Sequence, residues 1–189
     1  MKTIIQIGCN DGNDLVYNFT KNLKNPYKIH LVDASSEALN KCKIQYQNTN
    51  SSFHYLAITP NNTEYITLFV PENDAASQHS SLQLEHLKKH GHENIKEIQV
   101  PAKQINKFLD ESHLGSIDYL FIDVEGLDVD LVNAIDFAVF DIKNIRFEIL
   151  HSDHTFSKGG PKLDNLKQKL MSLGYTLKED GWDMIAEKS

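Results

Sequence analysis

An apolar run, Ile4-Ile5-Gln6-Ile7, ends at Gly8, meets a second glycine at Gly12 and then passes into a helical pattern. That order implies a strand, a tight turn and a helix, the opening unit of a nucleotide-type cradle. Gly8 and Gly12 accept backbone angles that other residues avoid and allow close approach to a ligand. Asn10 and Asp11 between them favour turns and tolerate left-handed conformations. Gly8, Cys9, Asn10, Asp11 and Gly12 are therefore read as one cofactor-binding loop.

The rest of the chain repeats the alternation. Leu15, Val16, Phe19 and Leu23 recur at helical spacing until Asn25-Pro26, and Ile29-His30-Leu31-Val32 is a second strand ending at Asp33. Ser35 or Ser36 can cap a helix through Leu39 and Cys42. Phe53 to Ile58 and Tyr65 to Val70 read as strands that pair as a hairpin across Pro60-Asn61-Asn62. Ile98 to Pro101 reads as an edge strand open to a homodimer partner, with a helix carrying Ile105, Phe108 and Leu109 behind it. Ile117 to Ile122 is the most apolar strand and ends in Asp123-Val124-Glu125-Gly126. A helix through Leu131 and Ile135, a strand from Ile145 to Leu150, and a helix from Leu163 to Leu173 follow. A terminal hairpin carries Tyr175 to Lys178 and Met184 to Ala186, with Trp182 in its core.

This alternation predicts an α/β, Rossmann-like fold: a mostly parallel central sheet, helices on both faces and an antiparallel C-terminal edge hairpin. Residues 1–189 read as a single domain, with 72–95 as a lid or acceptor-side insertion. Ligands in such sheets lie beyond the strand carboxyl ends. That gathers the glycine loop, Asp33, Ala57, Asp123 and His151 around one crevice.

The net charge of −7 argues against a nucleic-acid partner. No apolar stretch approaches the ~20 residues of a membrane helix and none resembles a signal peptide. A soluble cytoplasmic protein with reduced Cys9 and Cys42 is expected.

The glycine pattern is G-x-N-x-G, without the G-x-G-x-x-G of a dinucleotide fold or a P-loop. A nicotinamide-dependent oxidoreductase therefore stands behind other readings. Asp33, 21 residues past Gly12, can accept both hydrogen bonds of a ribose diol. A ribose without a pyrophosphate fits S-adenosylmethionine.

Ile7-Gly8-Cys9-Asn10-Asp11-Gly12, Asp33, the segment Val100 to Leu109, Ile122-Asp123-Val124-Glu125-Gly126 and Phe147-Glu148-Ile149-Leu150-His151 stand in the order and spacing of the FkbM-type methyltransferases. The chain resembles that family from about Ile4 to His151. Its glycine loop is similar to the family's D-I-G-A-N-x-G, and residues 122–126 to K-I-D-V-E-G. Gln6 and Phe121 stand where the family has an acidic residue and a lysine, and Asp33-Ala34 stands where it has Glu-Pro.

The resemblance implies a class I methyltransferase fold and methyl transfer from S-adenosylmethionine to a hydroxyl of a sugar, other glycan or secondary metabolite. It gives Asp33, Ala34, Ala57 and Asp123 to the cofactor together with the loop. A hydroxyl acceptor must lose a proton, and Asp123, Glu125 and His151 are the candidate bases. The alternative, prompted by Gln6 and Phe121, is a degenerate non-catalytic cofactor-binding module. His151, Asp153 and His154 offer a divalent ion imidazole and carboxylate ligands beside Asp123. His79, His86, His90 and His92 match no zinc spacing and are read as acceptor-side lid. No metal set is assigned.

Overall fold

Alternate side chains of β1, Lys2–Ile7, enter two different cores. Ile4 packs with Val16, Leu39 and Tyr46, while Ile5 and Ile7 pack with Leu120, Val132 and Phe147. A strand buried on both faces in this way belongs in the middle of a parallel sheet covered by helices on each side. The computed structural model describes residues 1–74, 76–112, 116–152 and 156–188.

On one flank of β1 lie β2, Tyr27–Asp33, and then β3, Ser51–Tyr55; on the other lie β7, Ser116–Ile122, and β8, Asp141–Glu148. These four and β1 run parallel to one another. The C-terminal hairpin, β9 at Tyr175–Asp180 and β10 at Asp183–Lys188, completes the sheet. Among the described residues the order is β3-β2-β1-β7-β8-β10-β9. The hairpin is antiparallel as expected, but the reversed strand is β10, which lies inside β9 and pairs with β8. Trp182 at its turn is exposed and not core.

Helix α1, Leu15–Lys21, and helix α2, Ser36–Gln45, contribute Val16, Leu39 and Cys42 to one core. Asp14 and Ser35 cap them, each accepting a backbone amide within the first turn. Helices α4, Ile105–Glu111, α5, Asp128–Ala134, and α6, Pro161–Ser172, contribute to the other. Phe121 belongs to the α1 side of the sheet, tilted against Phe19 at 5.6 Å.

A second sheet departs from the sequence expectation. The Phe53 to Ile58 run breaks at Leu56, and its continuation β4, Ala57–Thr59, leaves the main sheet. It pairs in parallel with β6, Ile95–Gln104, which pairs on its other side with β5, Tyr65–Pro71. The expected hairpin between residues 53–58 and 65–70 is therefore absent, because β6 inserts between them. The expected edge strand at Ile98 to Pro101 lies within β6, which pairs with β5 over Ile95–Pro101 and with β4 over Ala102–Gln104, and Val100 is fully buried. Between β5 and β6 the chain forms α3, Leu84–Lys89, and Ser81 bridges back to Phe69.

One polar pair lies on the α4 side of the sheet, where His54 meets Phe108 edge-on. His30 on β2 and His54 on β3 stack, with Nδ1 of His30 3.2 Å from Nε2 of His54. Burial first, then Lys28 and His54, push His30 down from 6.5 to about 4. The unfolded chain therefore binds the proton more tightly, and stability contributed by the neutral ring falls as pH drops below 6.5. Urea titrations of the wild type and His30→Leu are expected to show the wild type losing about 2 kcal/mol relative to the variant between pH 7.5 and pH 5. A constant gap would remove His30 from the acid response.

Candidate active site

The chain reverses its direction of winding between β1 and β7, and their carboxyl ends meet there. The Asp123 amide donates to the Ile7 carbonyl at 3.0 Å. Gly8 follows at φ +82, where a Cβ would stand 1.7 Å from the Asp123 carbonyl oxygen. Gly12, at φ +74, faces Cys42 Sγ and the Tyr46 ring, which a Cβ would meet at 2.8 and 3.1 Å. Both glycines are thus set by contacts within the protein.

A cleft of about 330 Å³ opens at this point, in the lower part of the usual small-molecule range of roughly 300–1,000 Å³. Gly8, Asn10, Asp11, Asp33, Ala34, Ala57, Asp123 and Glu125 line it, as the sequence reading anticipated. Cys9 and Gly12 do not. Cys9 is fully buried in the α1–α2 core, where a hydrogen bond with Cys42, and then burial, hold its thiol well above the usual range. Gly12 is turned into α2. His151 also lies outside the lining.

Asp33 is the most constrained polar group. Its Oδ2 accepts the Asn10 amide and its Oδ1 accepts the Ser35 amide, both at 2.7 Å. Asn10 reaches it from a left-handed φ of +42. Burial nevertheless pushes the Asp33 carboxyl up from its ordinary value, against those amides and that of Ala34. Each oxygen keeps acceptor capacity toward the cleft. Leu56, Ala57, Ile58, Leu68 and Leu82 supply an apolar wall nearby.

Gln6 is buried, and its Nε2 donates to Asp14 Oδ2 at 2.6 Å. Asp14 lines the cleft, so a carboxylate stands beside the buried Gln6 and is oriented by its amide. Phe121 lies on the α1 side of the sheet and is not part of the lining.

At the end of β7 the chain turns through Glu125 at φ +57 and Gly126 at φ +110. Asp128 holds this turn, accepting the Val124 and Gly126 amides at 3.1 and 3.2 Å. Ser81 Oγ donates to the Glu125 carbonyl and Gln83 Nε2 to the Gly126 carbonyl, each at 2.9 Å. The insertion between β5 and β6 is therefore fastened to the turn, and Ser77, Gln78, Ser80, Ser81 and Leu82 line the cleft.

Carboxylates crowd these strand ends. Removal from water, then Asp128, Glu125, Asp183 and Asp14, hold Asp123 well above the ordinary carboxylate range. Burial, set against the loop amides, moves Asp128 to about 6. Glu148 is pushed up to about 9 by burial and then by Asp128, Asp123, Glu125 and Asp183, and its Oε2 is buried without a hydrogen-bond partner.

Beside Glu125 stands a group of imidazoles. His86 and His90 come from one turn of α3 and its end, and His151 from beyond β8. One ligand atom from each of His86, His90, Glu125 and His151 lies within 4.8 Å of the others. His86 Nε2 is 2.9 Å from Glu125 Oε2, and His151 Nε2 is 3.8 Å from it. His90 is lowered to about 4 by burial, then by His86 and His79. Burial and His86 also lower His151. The sequence reading grouped His151 with Asp123, Asp153 and His154; the structure groups it with α3, and residues 153 and 154 lie outside those described. The signal was present in His86-Leu87-Lys88-Lys89-His90, a four-residue spacing that puts both rings on one helix face. Asp14 and Asp128 carry no motif, and Glu148 lies in the matched segment Phe147 to His151 without a role of its own there.

The sequence profile of the methyltransferase FkbM domain matches residues 6–177. The fold aligns with methyltransferase FkbM from Methylobacillus flagellatus KT at a TM-score of 0.54 and 14% identity, covering 98% of this chain and 43% of that one. This chain thus spans less than half of that protein's length. Fibrillarin from Aeropyrum pernix, in complex with natively bound S-adenosyl-L-methionine, aligns at a TM-score of 0.45 and 12% identity over 98% of this chain and 66% of that one. The ribosomal protein L11 methylase from Lactobacillus delbrueckii subsp. bulgaricus aligns at 0.42 and 10%, over 99% and 70%. No curated protein matches the sequence.

The crowding has a measurable consequence. Between pH 4.5 and about 9 the unfolded chain ionises Glu148 while the folded chain keeps it protonated, so stability falls as pH rises through that window. Glu148→Gln is expected to raise stability at pH 8 by on the order of 2–4 kcal/mol and to leave it nearly unchanged at pH 4.5. Equal stability of the two proteins at pH 8 in denaturant titrations would show that Glu148 is ionised there at no cost.

Proposed function

Because the chain belongs to the FkbM methyltransferase family, we propose that it transfers a methyl group from S-adenosylmethionine to a hydroxyl of a small-molecule or glycan acceptor. The observation that carries the cofactor half is Asp33, held at the end of β2 by the Asn10 and Ser35 amides with acceptor capacity facing the cleft. The family and its class I fold support the rest.

The residues present fit that cofactor. The Asp33 carboxylate suits a ribose diol. Ala34, Ala57 and Ile58 offer the apolar contact that an adenine face needs. Asp14 and Asp123 offer carboxyl oxygens to a cationic methionine end, and the Gln6 amide fixes the orientation of Asp14. Bound there, S-adenosylmethionine supplies an activated methyl group on a sulfonium sulfur.

The chain's own task is then mainly positional. The rim from Ser77 to Leu82 narrows access and excludes water from the reacting groups. Glu125, fixed in a left-handed turn by Asp128 and Ser81, faces the cleft two residues beyond Asp123 and is the base placed to take the proton from an acceptor hydroxyl. His151 acts behind it, with Nε2 3.8 Å from Glu125 Oε2. The acidic rim disfavours a polyanionic acceptor such as nucleic acid. The free, buried Cys9 and Cys42 suit a reducing compartment such as the cytoplasm.

Calorimetric titration with S-adenosylmethionine, S-adenosylhomocysteine and NAD tests this reading without knowledge of the acceptor. Both sulfur nucleotides are expected to bind and NAD is not; failure of both to bind would leave a degenerate module. Asp33→Ala is expected to weaken S-adenosylhomocysteine binding by roughly 1–3 kcal/mol through the lost hydrogen bonds. Glu125→Gln is expected to leave that affinity nearly intact while lowering methyl transfer, and an equal loss of both would move Glu125 to the cofactor side.

A further inference from the structure

We propose that His86, His90 and Glu125 form a binding site for an imidazole-preferring divalent transition ion at the mouth of the cleft, with His151 as an adjustable fourth ligand. Three observations converge on this. The first is placement: a four-residue spacing on α3 puts two imidazoles side by side, and Ser81 and Gln83 fasten the α3 side of the insertion to the turn that carries Glu125. Three segments far apart in sequence thus present ligand atoms within 4.8 Å of one another.

The second is unmet polar capacity. His86 is 1% exposed, and its Nε2 has no hydrogen-bond partner although it lies 2.9 Å from Glu125 Oε2. The two atoms approach without the alignment of a hydrogen bond. His90 Nε2 is likewise buried and unpartnered. Buried polar atoms are nearly always paired, so two orphaned ring nitrogens beside one carboxylate oxygen point to a missing common partner.

The third is ligand chemistry. Zinc binds imidazole nitrogen at about 2.0–2.1 Å and carboxylate oxygen at about 2.0–2.2 Å, which separates tetrahedral ligand atoms by roughly 3.3 Å. The 2.9 Å contact between His86 and Glu125 is already that close. The widest separation allowed by the 4.8 Å limit would close by about 1.5 Å through side-chain rotation. Imidazole in the majority selects zinc, cobalt or nickel over magnesium and calcium, which prefer oxygen ligands.

His151 differs from the other three. Its Nδ1 accepts the Phe156 amide at 3.0 Å, so its neutral ring carries the proton on Nε2, facing Glu125 and Glu148 at 3.8 and 3.7 Å. Ligation through Nε2 requires that proton to leave or move. His151 therefore contributes less than the α3 pair, and an open position remains for water or an acceptor oxygen. Glu125 belongs both to the ion set and to the cleft lining, which puts the ion beside the acceptor space.

Metal binding is read directly and does not depend on the methyl-transfer reading. Chelator-treated protein is titrated with Co²⁺, followed by its visible absorption, and then with Zn²⁺ in competition. One ion per chain is expected, with a low-symmetry cobalt band that zinc abolishes and millimolar magnesium does not. His90→Gln and Glu125→Gln are each expected to weaken zinc at least 30-fold, His151→Gln less than 10-fold, and His92→Gln, whose ring pairs with His79 outside the set, not at all. His86 is fully buried and its replacement endangers folding, so partly exposed His90 is the deciding position, with thermal melting as the check that each variant is folded. No saturable cobalt binding, or zinc affinity untouched by His90→Gln in a folded variant, would overturn the site. A zinc loss in His92→Gln as large as in His90→Gln would also overturn it, by placing the ion among the outer histidines.

Discussion

The molecule turns on the contact between the carboxyl ends of β1 and β7. The Ile7 carbonyl and the Asp123 amide close the sheet there, and Gly8 passes so near the Asp123 carbonyl that no side chain fits. From this point the first half of the sheet winds outward to β3 and the second to β9. The separation of the two directions leaves the cleft. Every functional group then takes its place by distance from that contact: the loop amide of Asn10 reaches Asp33 on one side, and the turn through Glu125 reaches the insertion on the other.

Such a meeting of strand ends concentrates charge. Asp14, Asp123, Glu125, Asp128 and Glu148 come from four segments, and burial with mutual repulsion raises Asp123, Asp128 and Glu148 together. Nothing about folding alone requires this. Groups held away from their preferred protonation states cluster where binding or catalysis uses them. The two ends of the cleft differ in what stands beside this charge. Near Gly8 it is the pair Asp14 and Asp123 in the cleft lining; near α3 it is Glu125 with the imidazoles of His86, His90 and His151.

Much of the fold was legible because its strands and helices carry their own periodicity. The runs at Ile4, Ile29, Ile117 and Ile145, with helices between them, led correctly to a parallel sheet and to a cleft lined by Asp33, Ala57 and Asp123. Pairing within the second sheet was not legible. Nothing local distinguishes a hairpin between β4 and β5 from the insertion of β6 between them, because the choice depends on β6 arriving about forty residues after β4 begins. The glycine loop was read correctly as a turn, but for an incomplete reason: Gly12 yields to Cys42 and Tyr46, contacts visible only once α2 is in place. The four histidines of the insertion were set aside because zinc signatures were sought within one segment. Two of them, His86 and His90, meet Glu125 and His151, which come from the turns beyond β7 and β8.

Two of the positions at which this chain departs from its family, Phe121 and Gln6, are explained by position. Phe121 lies on the α1 side of the sheet, stacked near Tyr119 and tilted against Phe19, so replacing a lysine there alters packing and leaves the cleft lining unchanged. Gln6 is one residue out of phase with Ile7, which does line the cleft, and its buried amide donates to Asp14. An amide cannot carry the charge of a carboxylate, but it can hold one in place. The Asp14 carboxylate at the cap of α1 also accepts the Tyr17 amide. Cleft lining and helix capping are joined in one side chain, and neither departure requires the cleft to be inactive.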